Sequence, residues 1–309
     1  MRKVVIDCDT GTDDAIAILA AAGCPGLEIL GITCVNGNVM EKYVAKNNLD
    51  LCEYIGLEVP VCHGAVSPLY SEYHNSQDMT HGLTGLGSIE LPSAKHHSFD
   101  SRTASRFLYE TAKACGGELE LLVTGPMTNI ALAIIQYPEF SHLIRRLYFM
   151  GGAVFGGNVS TTAEFNIWVD PEAAHAVFQS GIPMTMVGLD VTLKAIMQKE
   201  DIEQLRLRDT RESRLAADLL DYMSVRFLNG GENVIMHDAL ALAAMMFPEC
   251  MKYEDYWVDV ETSGDYTRGH TYADIRQRSG REANMSCAMK LDVPSFRSWL
   301  VRRISQSGN

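Results

Sequence analysis

The stretch Val4-Val5-Ile6-Asp7-Cys8-Asp9-Thr10-Gly11-Thr12-Asp13-Asp14 runs a short β-branched segment into four carboxylates gathered around a glycine. Directly after it comes Ala15-Ile16-Ala17-Ile18-Leu19-Ala20-Ala21-Ala22, strong helix-forming sequence that stops near Gly23. The acids therefore sit on a strand-to-helix turn. Like charges this close repel unless a cation joins them, and an all-carboxylate set offers the hard oxygen ligands that suit Ca²⁺ or Mg²⁺. Asp13 and Asp14 would in any case complement the positive end of the helix that follows.

The same alternation continues outward from that turn. Apolar runs predict strands over Val4–Ile6, Glu28–Val35, Val59–Cys62, Leu119–Val123, Leu147–Met150 and Met184–Leu189, with helical patterns between most of them. Such an order means an α/β fold with a mainly parallel sheet covered on both faces. One helix is fully signposted: Asp170 as N-cap, Pro171 in the first turn, Glu172-Ala173-Ala174-His175-Ala176-Val177-Phe178 as its body and Gly181 beyond its end. Open parallel sheets bind ligands outside the carboxyl ends of their strands. Here those positions carry Asp7 and Asp9, Asn36 and Asn38, His63, Thr124-Gly125, Gly151-Gly152 and Asp190, and the segment from Gly157 to Asn166 adds Asn158, Glu164 and Asn166.

Composition narrows the function. The chain has 309 residues, 47% of them hydrophobic, and no Pro/Ser/Gly-rich linker, repeat or low-complexity tract, so one domain spanning 1–309 is expected. A net charge of −13, with no basic cluster beyond Arg302-Arg303, argues against a nucleic-acid partner. No apolar run reaches membrane-spanning length and the first strand begins after three residues, which leaves no room for a signal peptide. The eight cysteines are scattered without a C-x-x-C pair and point to a reducing, cytoplasmic setting. Glycine-rich signatures for a triphosphate or a dinucleotide are absent. Asn, Asp and Glu side chains around a cation suit instead a neutral polyhydroxyl ligand such as a sugar. Further along, His237-Asp238 opens another helix-forming stretch, with the Asp placed to complete a metal site and the His placed to act as a general acid.

Taken together these segments resemble the calcium-dependent nucleoside hydrolases of the inosine-uridine-preferring type. The D-x-D-x-G-x-D-D motif is read as Asp7, Asp9, Gly11, Asp13 and Asp14. It is followed in order by Thr124-Gly125-Pro126-Met127-Thr128-Asn129, Met150-Gly151-Gly152, Gly157-Asn158 through Glu164-Phe165-Asn166, Asp170-Pro171-Glu172, Gly188-Leu189-Asp190 and His237-Asp238. The resemblance implies a Rossmann-like nucleoside hydrolase fold and hydrolysis of the N-glycosidic bond of ribonucleosides to base and ribose. It implies Ca²⁺ held by Asp9, Asp14, the Thr124 carbonyl and Asp238, with Asp9 taking the proton from a calcium-bound water. It assigns Asp13, Asn38 and Asn166 to the 2′ and 3′ hydroxyls, Asn158 and Glu164 to the 5′ hydroxyl, and His237 to base departure. For the base itself the candidates are His81, in a glycine-rich loop like the family's flap, and Phe155, Tyr222, Phe227 and Asn229. A homodimer or homotetramer is the family's common state.

Two departures stand out. Thr10 occupies a position where proline is more frequent, which would loosen the turn, and Asn36 replaces an apolar or aromatic residue. Two other readings stay open on the sequence: a haloacid dehalogenase-type phosphatase, suggested by Asp7-Cys8-Asp9-Thr10-Gly11 but lacking that chemistry's later acidic pair, and a sugar-binding protein without turnover.

Overall fold

The computed structural model describes residues 1–70, 80–228 and 234–306, without the side chains of 226–228. Six strands follow the expected order: β1 (Arg2–Cys8), β2 (Leu27–Cys34), β3 (Val61–Cys62), β4 (Leu119–Val123), β5 (Ile144–Met150) and β6 (Met184–Val187). After two short pairs, β7 (Ile196–Met197) with β8 (Val234–Ile235), and β10 (Val258–Val260) with β11 (Thr271–Ala273), the main sheet gains β9 (Met251–Tyr256) and β12 (Met285–Leu291). The eight-stranded order is β3-β2-β1-β4-β5-β6-β12-β9. All neighbours are parallel except β12 and β9, which leaves β9 as an antiparallel edge.

Order 3-2-1-4-5-6 places a topological switch between β1 and β4, because successive crossovers run outward in opposite directions from that pair. The strands alternate as a doubly covered sheet must. Val4, Ile6 and Cys8 join the apolar core on one face and Val5 joins the core on the other. The first core is closed by α1 (Thr12–Ala22), α2 (Glu41–Ile55), α9 (Arg211–Leu228), α10 (Asp238–Met246) and α11 (Val293–Ile304). The second is closed by α3 (Ala104–Cys115), α4 (Thr128–Gln136) and α6 (Pro171–Phe178). The remaining helices are α5 (Phe165–Val169), α7 (Leu189–Thr192) and α8 (Lys199–Arg208).

Local signals explain the ends of these elements. α1 begins three residues earlier than its apolar body because Gly11 is its N-cap and the Asp14 carboxylate reaches back to accept from Gly11 N at 2.8 Å. α6 starts as its sequence dictates, with Asp170 accepting from Ala173 N at 3.0 Å. Asp170 also accepts from Thr128 Oγ1 at 2.7 Å and from Leu69 N at 2.9 Å, so one buried carboxylate ties α6 to α4 and to the loop after β3. Among the described residues no helix is long and apolar enough to cross a membrane. All eight cysteines are free, and seven of them are buried as small core residues.

Candidate active site

At the carboxyl ends of β1 and β4 the chain places Asp9, Asp13 and Asp14 from the turn into α1, Thr124 from the end of β4, and Asp238 from the first turn of α10. All are buried. Carboxylate oxygens of Asp13, Asp14 and Asp238 lie within 4.8 Å of one another. Asp14 Oδ1 accepts from Thr124 Oγ1 at 2.7 Å, and its Oδ2 accepts from Gly11 N and, at 3.3 Å, from Asn38 Nδ2. Asp9 Oδ2 accepts from Asn38 N at 2.7 Å, while Asp9 Oδ1 is buried with no hydrogen-bond partner. A backbone that approaches Asp9 this closely leaves no space for a side chain: a Cβ on Gly37 would overlap Asp9 Oδ2.

Electrostatics follow from the crowding. Burial, and then mutual repulsion among the aspartates, raises Asp9 and Asp238 well above the ordinary carboxylate range and raises Asp14 to about 7. An orphaned buried carboxylate oxygen beside three converging carboxylates fits a hard divalent cation.

Of the sequence candidates, the structure brings most to this one end of the sheet. Asn166 Nδ2 donates to Thr124 O at 2.8 Å and to Met150 O at 3.1 Å, locking the ends of β4 and β5 together. Glu164 caps α5 and accepts from Asn166 N (3.0 Å), Ile167 N (3.2 Å) and Gly152 N (2.9 Å); burial lifts its carboxyl to about 7 against those bonds. Asn158 is exposed and its Oδ1 accepts from Phe165 N at 2.9 Å. His237 is the N-cap of α10, its Nδ1 2.9 Å from Thr192 Oγ1, and burial lowers its basicity. His81 Nδ1 accepts from Thr12 N at 3.0 Å, which puts the ring against the N-terminus of α1 and 3.9 Å from Asp13. Tyr222, on α9, packs on the loop that carries His81, where a Cβ on Gly87 would lie 2.5 Å from its ring. Phe155 stands 64% exposed. The Phe227 side chain and Asn229 lie outside the described residues.

Three sequence expectations are adjusted. Asp7 is not part of the converging carboxylates: it points between strands, accepting from Thr33 Oγ1 at 2.5 Å and Asn129 Nδ2 at 2.8 Å, and serves the scaffold. Asp190 likewise organises a loop, accepting from Val154 N at 2.8 Å and Phe155 N at 3.1 Å. Thr10 does not loosen its turn. Its buried hydroxyl donates to Asn48 Oδ1 at 2.6 Å, so a side-chain bond restrains the turn where proline would have used its ring. Sequence reasoning passed over Asn47 and Asn48. The available signal was two adjacent asparagines in the middle of a helix, where that residue type is unfavourable without a specific partner.

Comparison with known proteins agrees with this geometry. Residues 4–298 match the family model described as inosine-uridine preferring nucleoside hydrolase. The chain is 38% identical over 305 residues to the pyrimidine-specific ribonucleoside hydrolase RihA of Salmonella typhimurium, covering 97% of each chain. Among solved structures it is similar to a purine-preferring ribonucleoside hydrolase from Gardnerella vaginalis, with a TM-score of 0.93, 33% identity and 99% of each chain covered. An inosine-guanosine nucleoside hydrolase superposes with a TM-score of 0.91 at 27% identity, over 99% of each chain.

Proposed function

The chain belongs to the inosine-uridine preferring nucleoside hydrolase family and is a ribonucleoside hydrolase, and on that premise we propose that it works with Ca²⁺ held by Asp9, Asp14, the Thr124 carbonyl and Asp238. The observation that carries the proposal is the buried, unpartnered Asp9 Oδ1 beside the Asp13–Asp14–Asp238 cluster. When bound, the ion neutralises these carboxylates and acidifies a water in reach of the sugar.

The chain's own groups supply the rest. Asn38 N fixes one oxygen of Asp9 and leaves the other to accept the proton of the attacking water. Asp13, Asn38 and Asn166 hold the 2′ and 3′ hydroxyls, and Asn158 and Glu164 the 5′ hydroxyl. Glu164 spends three acceptor positions on backbone N–H groups, which fixes its carboxyl for a further bond to the sugar. Positive charge develops on the ribose as the base departs, and the surrounding carboxylates and oriented amides stabilise it more than they stabilise the ground state. His237, lowered by burial and oriented through Thr192, assists the leaving base. His81, Tyr222 and Phe155 face the base.

Pyrimidine ribonucleosides are the proposed substrates, supported by the RihA relative. A cytoplasmic location is supported by the eight free cysteines. Incubation with uridine, cytidine, inosine, adenosine and guanosine, with chelator and with added Ca²⁺, and measurement of released ribose test all of this. Ca²⁺-dependent release, fastest from uridine and cytidine, is expected. Turnover undiminished in chelator overturns the metal assignment, and faster release from inosine than from uridine overturns the pyrimidine assignment.

A further inference from the structure

The loop carrying His81 is a small closed unit. Gly87 N donates to His81 O at 2.9 Å, so fixing any part of the turn between them fixes the histidine. Leu86 roots it in the core, but Leu83 and Thr84 are exposed, Leu83 at 76%. Asn47, buried on α2, meets it there: Asn47 Nδ2 donates to Thr84 O at 2.6 Å and lies 3.5 Å from Thr10 O. The two carbonyls belong to the two functional loops, and an amide nitrogen with two hydrogens is the group that can serve both. The close approach is built into the sequence as well. Gly85 has φ +103°, and a Cβ there would lie 2.7 Å from both Asn47 Nδ2 and Thr10 O.

We propose that Asn47 is a positioning residue that fastens the His81 loop to the carboxylate turn and so sets the placement of His81 for departure of the base. This rests on the hydrolase reading of the site. His81 is held at its other side by Thr12 N, so its Nδ1 is an acceptor and a neutral ring carries its proton on Nε2. A shift of the loop by about 1 Å would misplace that donor while leaving Asp9 and Asp14 anchored by their own bonds.

The test measures kcat for wild type and Asn47→Leu on uridine and on p-nitrophenyl riboside, whose leaving group departs without help. Loss of about tenfold or more on uridine, with p-nitrophenyl riboside changed less than about twofold, is expected. Gly85→Ala pries at the same contact from the loop side and carries the same expectation if the Leu variant does not fold. Equal losses on both substrates, or no loss on either, overturn the role of Asn47 while leaving the hydrolase reading intact. A wild-type protein that cleaves neither substrate overturns that reading, and the role of Asn47 with it.

Discussion

The two ends of the candidate site are built on opposite plans. At the carboxylate end Asp9, Asp13, Asp14, Thr124 and Asp238 are all buried and come from strand ends and helix starts, and Asp9, Asp14 and Thr124 are held by short bonds to backbone and side chains. At the base end the candidates sit on loops or on the outer part of α9, and Leu83 and Phe155 are largely exposed. Chemistry common to every ribonucleoside needs fixed geometry, and the sheet supplies it; discrimination among bases needs surfaces that can vary, and loops supply those. That contrast predicts where substitutions will be costly.

The sharpest break should come at Asp9. Asp9→Ala removes the proposed proton acceptor and a proposed metal ligand at once, and kcat on uridine should fall by about 10³- to 10⁴-fold. Gly37→Ala tests the same point without replacing the aspartate, since its Cβ would displace Asp9 Oδ2. Substantial turnover by both variants would show that the carboxylate end is scaffold.

Next in size is a stability effect. Asp14 titrates at about 7 in the metal-free fold against an ordinary value of 3.8, and Asp9 and Asp238 are raised as well. Between those values the folded protein holds protons that the unfolded chain has released, so metal-free stability is greatest at the acid end of the window and falls as pH rises through about 7. Asp7 and Glu164, each raised to about 7 by burial, have the same sign, while His237, lowered by burial, has the opposite sign within the window, and Asp100, held at about 2 beside Arg102, has it only below 3.8. Chelated protein should therefore melt at a higher temperature at pH 5 than at pH 8, a difference of a few kcal/mol, and Ca²⁺ should restore more at pH 8. A chelated protein that gains stability from pH 5 to pH 8 would show that these buried carboxyls are not raised together, at the metal site or beside it.

The same division decided what could be read from the sequence. The turn after β1 was legible because it is local: a β-branched run, a glycine, four acids and a helix former lie within nineteen consecutive residues, 4 to 22. Asp7 misled for the same reason, since proximity in sequence could not reveal that its side chain is taken up by Thr33 and Asn129 on neighbouring elements. β9 and β12 went unread because they lack the signal of a doubly buried strand. β9, Met251-Lys252-Tyr253-Glu254-Asp255-Tyr256, is an edge with charges facing outward, and β12 carries Ser286 and Lys290. The Asn47 and Asn48 contacts join residues 37 and 38 positions apart in the chain, a distance that no local pattern encodes.

His237 stands between the two ends, and its substitution measures how far the fixed region extends. It is the N-cap of α10 beside Asp238, yet its proposed role is toward the leaving base. His237→Ala should cost about 10²-fold in kcat on uridine and no more than a few-fold on p-nitrophenyl riboside. Equal losses on both would assign it to the carboxylate end as a structural partner of Thr192.

Phe155 is the far side of the contrast and should show the smallest effect. Its backbone N donates to Asp190, so the loop keeps its course when the side chain is removed. The ring, 64% exposed, gives up little buried area even when a base lies against it. Phe155→Ala should therefore leave kcat on p-nitrophenyl riboside unchanged and raise KM by about two- to fivefold, with the size of the rise differing between uridine and inosine. A loss of tenfold or more in kcat on every substrate would mean that the ring orders the catalytic groups themselves, and the base end would then be as rigidly committed as the carboxylates it faces.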